Sequence, residues 1–178
     1  MTQLATFAGG CFWCTEAVFA RVRGVVSVTP GYTGGTIDKP RYEQVVSGTT
    51  GHVEAVRIEF DPSIVTYEIL VKIFFGTHDP TTRNRQGNDI GTQYRSAIFF
   101  HNQEQRMIAE KVLAGLEQTH VFEKQIITEI LPASDFFEAE KYHRDYYQKN
   151  PENPYCQAVI NPKITKLRKT FANFLHSP

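Results

Sequence analysis

The chain has 178 residues, of which 41% are hydrophobic and 12% aromatic, enough for one compact domain with a buried core. Basic and acidic residues both number 19, and a net charge of zero argues against a nucleic-acid-binding protein, whose affinity comes mostly from phosphate neutralisation. No apolar run approaches the roughly 18 residues of a membrane span, and no secretory signal is visible at the first residues. We therefore expect a cytoplasmic protein that acts neither on nucleic acid nor in a membrane.

Hydrophobic periodicity predicts an α/β arrangement in one domain spanning residues 1–178. Strands are predicted at residues 4–9, 25–32, 41–48, 52–60, 94–100 and 124–131. Helices are predicted at residues 15–24, 66–76, 102–118, 135–149 and 161–175. The polar loop 77–93 and the proline-rich segment 152–162 are expected to lack regular structure. Loops as long as 77–93 often contain functional residues.

Two helix starts carry recognisable signals. Asn102 is followed three residues later by Gln105, which is the spacing of a capping box. Asn161 is expected to cap the last helix, with Pro162 in its first position.

The stretch AGGCFWC places two of the three cysteines, Cys11 and Cys14, three residues apart at the predicted start of a helix. Unpaired amide groups and the helix dipole at that position favour a thiolate, so Cys11 is predicted to be the most acidic thiol. The glycines before it allow a sharp turn and close approach of a ligand. In a reducing compartment this pattern indicates redox or metal chemistry.

Two other interpretations of the cysteines stay open at this point. Both could be small buried hydrophobic residues, as free cysteines often are. Zinc could use the pair as half of a site, but Cys156 and one of six scattered histidines would have to complete it. A metal site is therefore the weaker interpretation.

A buried carboxyl group is the second unusual feature. Strand alternation in HVEAVRIEF puts Glu54 on the same face as Val56, Ile58 and Phe60. Burial disfavours the ionised form, so the pKa of Glu54 should rise and make it a proton donor near neutral pH. A nucleophilic sulfur beside a carboxylic acid suits a substrate whose leaving oxygen must be protonated, and a sulfoxide fits that description.

Eight motifs occur in a characteristic order and spacing: GCFWCTE, GYTGG, PRYEQVVSGTTGHVEAV, HDPTT, RQGNDIGTQYRSAIF, ITEI, FFEAEKYHRDYY and NPYCQAVI. With these motifs the chain resembles the A type of peptide methionine sulfoxide reductase from about residue 5 to about residue 170. The resemblance implies a two-layer α/β (α+β) sandwich with a mixed sheet, flanking helices and an irregular C-terminal tail. It also implies reduction of the S epimer of methionine sulfoxide, free or in oxidised proteins.

By position, the nucleophile of the family falls on Cys11 and its proton-donating glutamate on Glu54. Phe12 and Trp13 correspond to the pocket for the substrate methyl group.

Three further substrate contacts follow from the resemblance alone. Tyr42 and Tyr94 correspond to the tyrosines that bond the sulfoxide oxygen, and Asp89 corresponds to the aspartate of the substrate pocket. Without the resemblance, the first two would be half-buried strand residues and Asp89 a turn residue.

The resemblance implies a recycling route with no resident cofactor and no metal. After attack, Cys11 is left as a sulfenic acid, a second thiol condenses with it, and an external dithiol, expected to be thioredoxin, reduces the disulfide. Many relatives have Gly at the position of Cys14, so the order of the two remaining thiols is open. Cys14 could resolve Cys11 and pass the disulfide to Cys156 in a mobile proline-rich segment, or Cys156 could act alone.

Two alternatives belong to other functional classes. A thioredoxin-like disulfide oxidoreductase also has a strand, a CxxC pair and a helix in this order. A non-enzymatic module could instead bind oxidised peptides through its aromatic residues. A monomer is expected in each case.

Overall fold

The computed structural model describes residues 1–177. The strands are β1 (Gln3–Ala8), β2 (Val25–Thr33), β3 (Val53–Phe60), β4 (Arg85–Gln86), β5 (Asp89–Ile90), β6 (Ala97–Phe100), β7 (Glu129–Pro132) and β8 (Phe136–Glu138). The helices are α1 (Phe12–Phe19), α2 (Tyr42–Val46), α3 (Tyr67–Thr77), α4 (Gln103–Gln118), α5 (Tyr146–Lys149) and α6 (Asn161–Phe171). Short 3-10 turns at Thr92–Tyr94, Lys141–His143 and Ala172–Phe174 and a π-helical turn at Cys156–Ile160 complete the regular structure.

Six strands form one mixed sheet in the order β7-β6-β1-β3-β2-β8. All neighbouring strands are antiparallel except β6 and β7, which are parallel. Strands β4 and β5 form a separate small hairpin inside the segment predicted to be a loop. The predicted α/β class and the mixed sheet are confirmed.

The two faces of the sheet differ in what covers them. Helices α1, α3, α4 and α6 bury one face, and residues 56, 58 and 60 of β3 belong to that main core together with Phe7 and Ile98. The opposite face carries a smaller buried cluster of Ala8, Val53, Ala55, Ala97 and Phe99. The predicted alternation along β3 is therefore confirmed, and Glu54 lies on the helix-covered side.

The capping prediction for α4 is confirmed with one change of partner. Asn102 Oδ1 accepts a hydrogen bond from the Gln105 amide at 2.9 Å, which satisfies a free N–H of the first turn. The Gln105 side chain accepts from the amide of His101 at 3.0 Å, one residue earlier than the usual box.

The strand predicted at residues 41–48 is wrong, because Tyr42–Val46 within it form the helix α2. The two valines of this segment suggested a strand, but only Val45 is buried. The Gln44 side chain accepts from the Arg41 amide at 2.8 Å, and this local bond starts a short helix instead.

The tail segment, which we define as residues 133–160, differs most from the prediction. Residues 136–138 of the expected helix 135–149 form β8, because the free edge of β2 at Gly31–Thr33 supplies backbone partners. Gly31 makes this pairing possible, since a Cβ there would lie 2.5 Å from the Phe136 ring and from the Phe137 carbonyl oxygen. Only Tyr146–Lys149 forms an α-helix.

Segment 152–162 was expected to be irregular, yet it contains a π-helical turn that runs directly into α6. The Asn161 amide donates to the carbonyl of Cys156, five residues back. Asn161 is therefore already helical and does not cap α6, although Pro162 does lie in the first turn as predicted.

Several boundaries shift by a few residues. Helix α1 begins at Phe12, three residues earlier than predicted; β6 begins at Ala97 and not at residue 94; and β7 covers only the end of 124–131. Among the described residues, no helix has both the length and the apolar character that a membrane span requires.

Candidate active site

The site begins where β1 turns into α1. Gly10 has φ +94°, and a Cβ there would lie 2.6 Å from the Gln86 side chain, so glycine is required for both conformation and space. Cys11 then occupies the N-cap position, and its carbonyl accepts the amides of Cys14 at 3.1 Å and Thr15 at 3.4 Å. The predicted placement of Cys11 at a helix start is confirmed.

Glu54 reaches this helix start from β3. Its Oε2 accepts the amide of Phe12, the residue after Cys11, at 3.0 Å, and the side chain is only 2% exposed. Burial raises the pKa of Glu54 to about 8; the Phe12 amide opposes this rise and the charge of Asp89 adds to it. The carboxyl group therefore carries a proton at neutral pH, as the strand pattern predicted.

Tyr42 and Tyr94 lie around the same point. Burial raises the pKa of both hydroxyls, and the charges of Glu54 and Cys11 add to the rise, with Tyr42 reaching about 12. Their local structure differs from the prediction: Tyr42 is the first residue of α2 and Tyr94 ends a 3-10 turn. The structure thus brings both phenols, still protonated, close to the buried carboxyl.

Asp89 belongs to the β4–β5 hairpin and faces the same site. Its Oδ2 accepts a hydrogen bond from the Tyr155 hydroxyl at 2.6 Å. That hydroxyl also lies 3.6 Å from Cys14 Sγ. Tyr155 therefore links Asp89 to the second cysteine, a connection that the sequence did not predict.

The two aromatic residues after Cys11 occupy different environments. Phe12 is fully buried, with its ring centroid 5.7 Å from that of Tyr32 and 4.9 Å from that of His143. Trp13 is half-buried, its indole stacks on Tyr146 at 3.6 Å, and its Nε1 donates to His143 Nδ1 at 3.0 Å. Both rings are fixed in place, and part of Trp13 remains accessible to a ligand.

Glu140 supports the residues that surround the Phe12 and Trp13 rings through its hydrogen bonds. Its carboxylate accepts from the Tyr42 amide at 2.9 Å and from the Tyr32 hydroxyl at 2.8 Å. It also lies 3.7 Å from Nε2 of His143, a buried atom with no hydrogen bond among residues 1–177. The bond from Trp13 to His143 was not predicted from the sequence.

The two thiols of the CxxC pair lie close enough to shift each other's pKa. Burial raises the pKa of Cys11 well above its usual value, and the Cys14 thiol and the Glu54 charge act in the same direction. The neighbouring Cys11 side chain instead lowers the pKa of Cys14, as does the ammonium of Lys163. The helix start therefore does not make Cys11 an acidic thiol, because burial acts in the opposite direction.

Cys156 is also not placed as expected. It was predicted to lie in a mobile segment, but its side chain is 0% exposed in the π-helical turn, which packs against α1 and α6. Cys156 joins the same core as Cys11 and Cys14, and all three cysteines are free thiols.

Of the residues that sequence reasoning missed, only Tyr155 stood near a visible signal, since it directly precedes Cys156. Glu140 and His143 lie in FFEAEKYHRDYY, a motif of the resemblance to which no residue role was assigned, and Lys163 lies in a helix whose spacing gave no sign of chemistry. No group of three or more His, Cys, Asp or Glu residues in the described part of the chain is arranged to hold a metal ion.

Together these groups suit one kind of chemistry. The Cys11 thiol lies next to the buried carboxyl group of Glu54, with the phenols of Tyr42 and Tyr94 close by. Such a set can attack an electrophilic atom while donating a proton to the oxygen attached to it. The half-buried indole of Trp13 offers an apolar surface for a small alkyl group.

Comparison with known proteins identifies the family. A family model described as peptide methionine sulfoxide reductase matches residues 3–175. The peptide methionine sulfoxide reductase MsrA of Saccharolobus solfataricus is 55% identical over 169 residues, covering 95% of this chain and 94% of its own.

Solved structures are similar to this chain as well. Reduced Mxr1 from Saccharomyces cerevisiae superposes with a TM-score of 0.80 at 34% identity, covering 87% of this chain and 89% of its own. Mxr1 in complex with Trx2 gives 0.56 at 23% identity, with coverage of 82% and 84%, and this likeness concerns the fold alone. The chain therefore belongs to the A type of the peptide methionine sulfoxide reductase family and is an oxidoreductase.

Proposed function

We propose that this enzyme reduces methionine S-sulfoxide, free or in oxidised proteins, to methionine and thereby repairs oxidised proteins. The observation that carries the proposal is the bond between Glu54 Oε2 and the Phe12 amide, which places a buried carboxylic acid directly beside Cys11. The family match over residues 3–175 supports the same reaction and replaces the thioredoxin-like alternative.

In the first step the sulfur of Cys11 attacks the sulfoxide sulfur while Glu54 gives its proton to the sulfoxide oxygen. The proton that leaves the Cys11 thiol replaces the one that Glu54 gives, so the step balances without a further acid or base. Transfer of the oxygen breaks the substrate S–O bond and forms a new one on Cys11. Methionine sulfur gains two electrons, Cys11 loses two, and Cys11 is left as a sulfenic acid.

Five side chains position the substrate in this proposal. Tyr42 and Tyr94 donate hydrogen bonds to the oxygen as negative charge develops there. Phe12 and Trp13 contact the methyl group, and Asp89 helps to orient the remainder of the substrate. The pKa rise of both tyrosines supports this assignment, because their hydroxyls remain protonated donors at every physiological pH.

Recycling uses the two remaining thiols in turn. Cys14 condenses with the sulfenic acid, releasing water and forming a Cys11–Cys14 disulfide, and its lowered pKa supports this role. Cys156 then attacks Cys14, which frees Cys11, and thioredoxin reduces the new disulfide by two exchange steps. Because Cys156 is buried, the π-helical turn must open first, and such turns are rare and often lie at functional sites.

The reductant is the external component of the cycle. Mxr1 has been crystallised with Trx2, which supports thioredoxin as the partner class for this chain. No resident cofactor or metal has a step in this cycle. The cycle needs no side chain from a second copy, and we propose that the enzyme acts as a monomer.

The test is a count of methionine released per enzyme from excess methionine S-sulfoxide, with fully reduced protein and no reductant. The relay predicts about two equivalents, because Cys11 is freed once and reacts again. About one equivalent would contradict the relay, and no release would contradict the reductase activity itself.

Two serine variants separate the recycling routes. Cys156→Ser should lower the count to about one, because the Cys11–Cys14 disulfide then has no thiol to receive it. Cys14→Ser should leave a stable sulfenic acid that a sulfenic-acid reagent labels. If Cys14→Ser instead forms a Cys11–Cys156 disulfide as fast as the wild type forms its first disulfide, Cys14 is not the resolving thiol.

A further inference from the structure

A second buried carboxyl group, Glu16, lies in α1 outside the groups that the reaction uses. Its side chain belongs to a residue only 3% exposed, and no Lys, Arg or His among residues 1–177 pairs with it. Glu16 follows Trp13 by three residues, so the two project from neighbouring positions on the same side of the helix. Burying a carboxyl group without a cationic partner costs free energy, which indicates that the group has a specific role.

The partner of Glu16 is the backbone of the tail segment. Its Oε1 accepts the amide of Asp145 at 3.0 Å. Burial raises the pKa of Glu16 to about 7, while the amides of Asp145 and Tyr146 oppose this rise. The bond joins two segments that are 129 residues apart in the chain.

The backbone at Asp145 needs this support. Asp145 has φ 54° and ψ 31°, in the left-handed region that a residue with a Cβ adopts only at a cost. It precedes α5, which has four residues and no side-chain cap of its own. A helix this short does not hold itself together, so the carboxyl group of Glu16 acts as its N-terminal cap from outside.

The first residue of α5 is the one that contacts the pocket. Tyr146 stacks on the indole of Trp13 with centroids 3.6 Å apart and planes inclined by 5°. Helix α1 therefore contacts the start of α5 twice, through Glu16 at the Asp145 amide and through Trp13 at the Tyr146 ring. Glu16 itself touches neither the proposed nucleophile nor the proposed acid through any hydrogen bond.

We propose that Glu16 is a positioning residue for the sulfoxide pocket. By bonding the Asp145 amide it fixes Tyr146 against Trp13 and so holds the indole at the angle that the substrate methyl group meets. This inference rests on the proposed function in one respect, the assignment of Trp13 to the substrate pocket.

The proposal predicts a split between binding and chemistry. Glu16→Ala leaves the Asp145 amide without its acceptor and should raise KM for methionine sulfoxide about tenfold. The single-turnover rate at saturating substrate should change less than about threefold, because Cys11 and Glu54 stay in place. Glu16→Gln retains an oxygen that accepts the same bond and should restore KM to nearly the wild-type value.

An optical measurement reports on the same contact without substrate. Trp13 is the single tryptophan of the chain, so intrinsic fluorescence comes from this indole alone. In Glu16→Ala the emission maximum should move to longer wavelength, and acrylamide quenching should increase about twofold, as the Tyr146 ring leaves the indole face. Glu16→Gln should match the wild type in both.

A double-mutant cycle with Tyr146→Ala decides whether Glu16 acts through the stacked ring. Tyr146→Ala alone should reproduce the rise in KM and in quenching, and adding Glu16→Ala should change either by less than about twofold. Fully additive effects, or a Tyr146→Ala enzyme with wild-type KM and quenching, would overturn the proposal. The Tyr146 variant also keeps the test available if Glu16→Ala does not fold.

The two proposals fail in different ways. A wild-type enzyme that releases no methionine would contradict the proposed function, while fluorescence would still show whether Glu16 fixes the indole. Normal catalysis combined with unchanged KM and quenching in Glu16→Ala would contradict the Glu16 proposal alone.

Discussion

The candidate site is assembled from two regions that are held in different ways. Cys11, Phe12 and Glu54 stand on β3 and at the start of α1, where backbone hydrogen bonds of the sheet and helix fix their positions. The tail segment contributes its groups through individual side-chain contacts, such as Trp13 with His143 and Asp89 with Tyr155.

This difference separates the work of the two regions. The sheet and α1 place the groups to which we assign the reaction, with Glu54 Oε2 only 3.0 Å from the Phe12 amide. The tail segment surrounds those atoms with Tyr146 and Tyr155 and contains the third thiol. We therefore expect substitutions in the first region to affect chemistry, and substitutions at the contact between regions to affect substrate binding, stability and recycling.

Glu54→Gln tests the first region and should have the largest effect. The amide keeps an oxygen for the Phe12 N–H but cannot donate an acidic proton, so single-turnover methionine release should fall about a hundredfold or more. Since the pKa of Glu54 is raised to about 8, the wild-type acid is protonated below that pH and loses its proton above it. The wild-type rate should therefore fall as the pH rises through about 8, and the variant should lack this fall.

Glu59→Gln is the matched control, because Glu59 lies on the same strand but on the opposite face. Its release rate should equal that of the wild type. Equal rates for Glu54→Gln and the wild type would remove Glu54 from the role of acid.

The same division explains what the sequence could predict. Glu54 follows from strand alternation, which requires only the local pattern and one buried face. The helix start at Cys11 follows from the double glycine, and Gly10 does adopt a positive φ. Both features depend on residues that are close in sequence.

The tail segment depends on partners far away in the chain, and there the local pattern failed. The aromatic-rich stretch 135–149 has helical spacing, yet residues 136–138 pair with β2 because an edge strand was open. Likewise, the helix terminus predicted an acidic Cys11, but burial, the Cys14 thiol and Glu54 raise its pKa instead. Neither the open edge nor the burial can be read from the residues nearby.

Gly31→Ala tests the pairing of β2 with β8, which connects the two regions, and should have an intermediate effect. The added Cβ would lie 2.5 Å from the Phe136 ring and from the Phe137 carbonyl, so β8 would have to shift from the sheet. We expect the free energy of unfolding to fall by about 1–3 kcal/mol, as measured by denaturant unfolding.

Gly115→Ala is the matched control for this substitution. Gly115 is exposed in α4, and a Cβ there meets no atom within 4 Å. Because alanine favours a helix over glycine, this variant should be more stable by about 0.5–1 kcal/mol. A Gly31→Ala protein as stable as the wild type would show that β8 is not held by this close pairing.

Lys163→Met tests recycling and should have the smallest effect. Lys163 Nζ donates to the Thr77 carbonyl at 2.9 Å, and its stem lines a cavity of about 10 Å³, room for about one water molecule, together with Cys14 and His78. Since the neighbouring Cys11 side chain and this positive charge both lower the pKa of Cys14, removing the charge should raise that pKa. Disulfide formation at neutral pH should slow about threefold with methionine release unchanged.

Lys166→Met is the matched control, because it tests whether the positive charge must lie near Cys14 to have this effect. Lys166 lies one turn further along α6 and is exposed, so its loss should leave the rate of disulfide formation unchanged. Alkylation of Cys14 against pH, followed by mass spectrometry in a Cys156→Ser background, measures the pKa directly. If Lys163→Met and Lys166→Met give the same alkylation profile as the parent, the Lys163 charge does not lower the pKa of Cys14. In that case the pKa of this thiol would depend on its neighbour Cys11 at the start of α1 and not on α6.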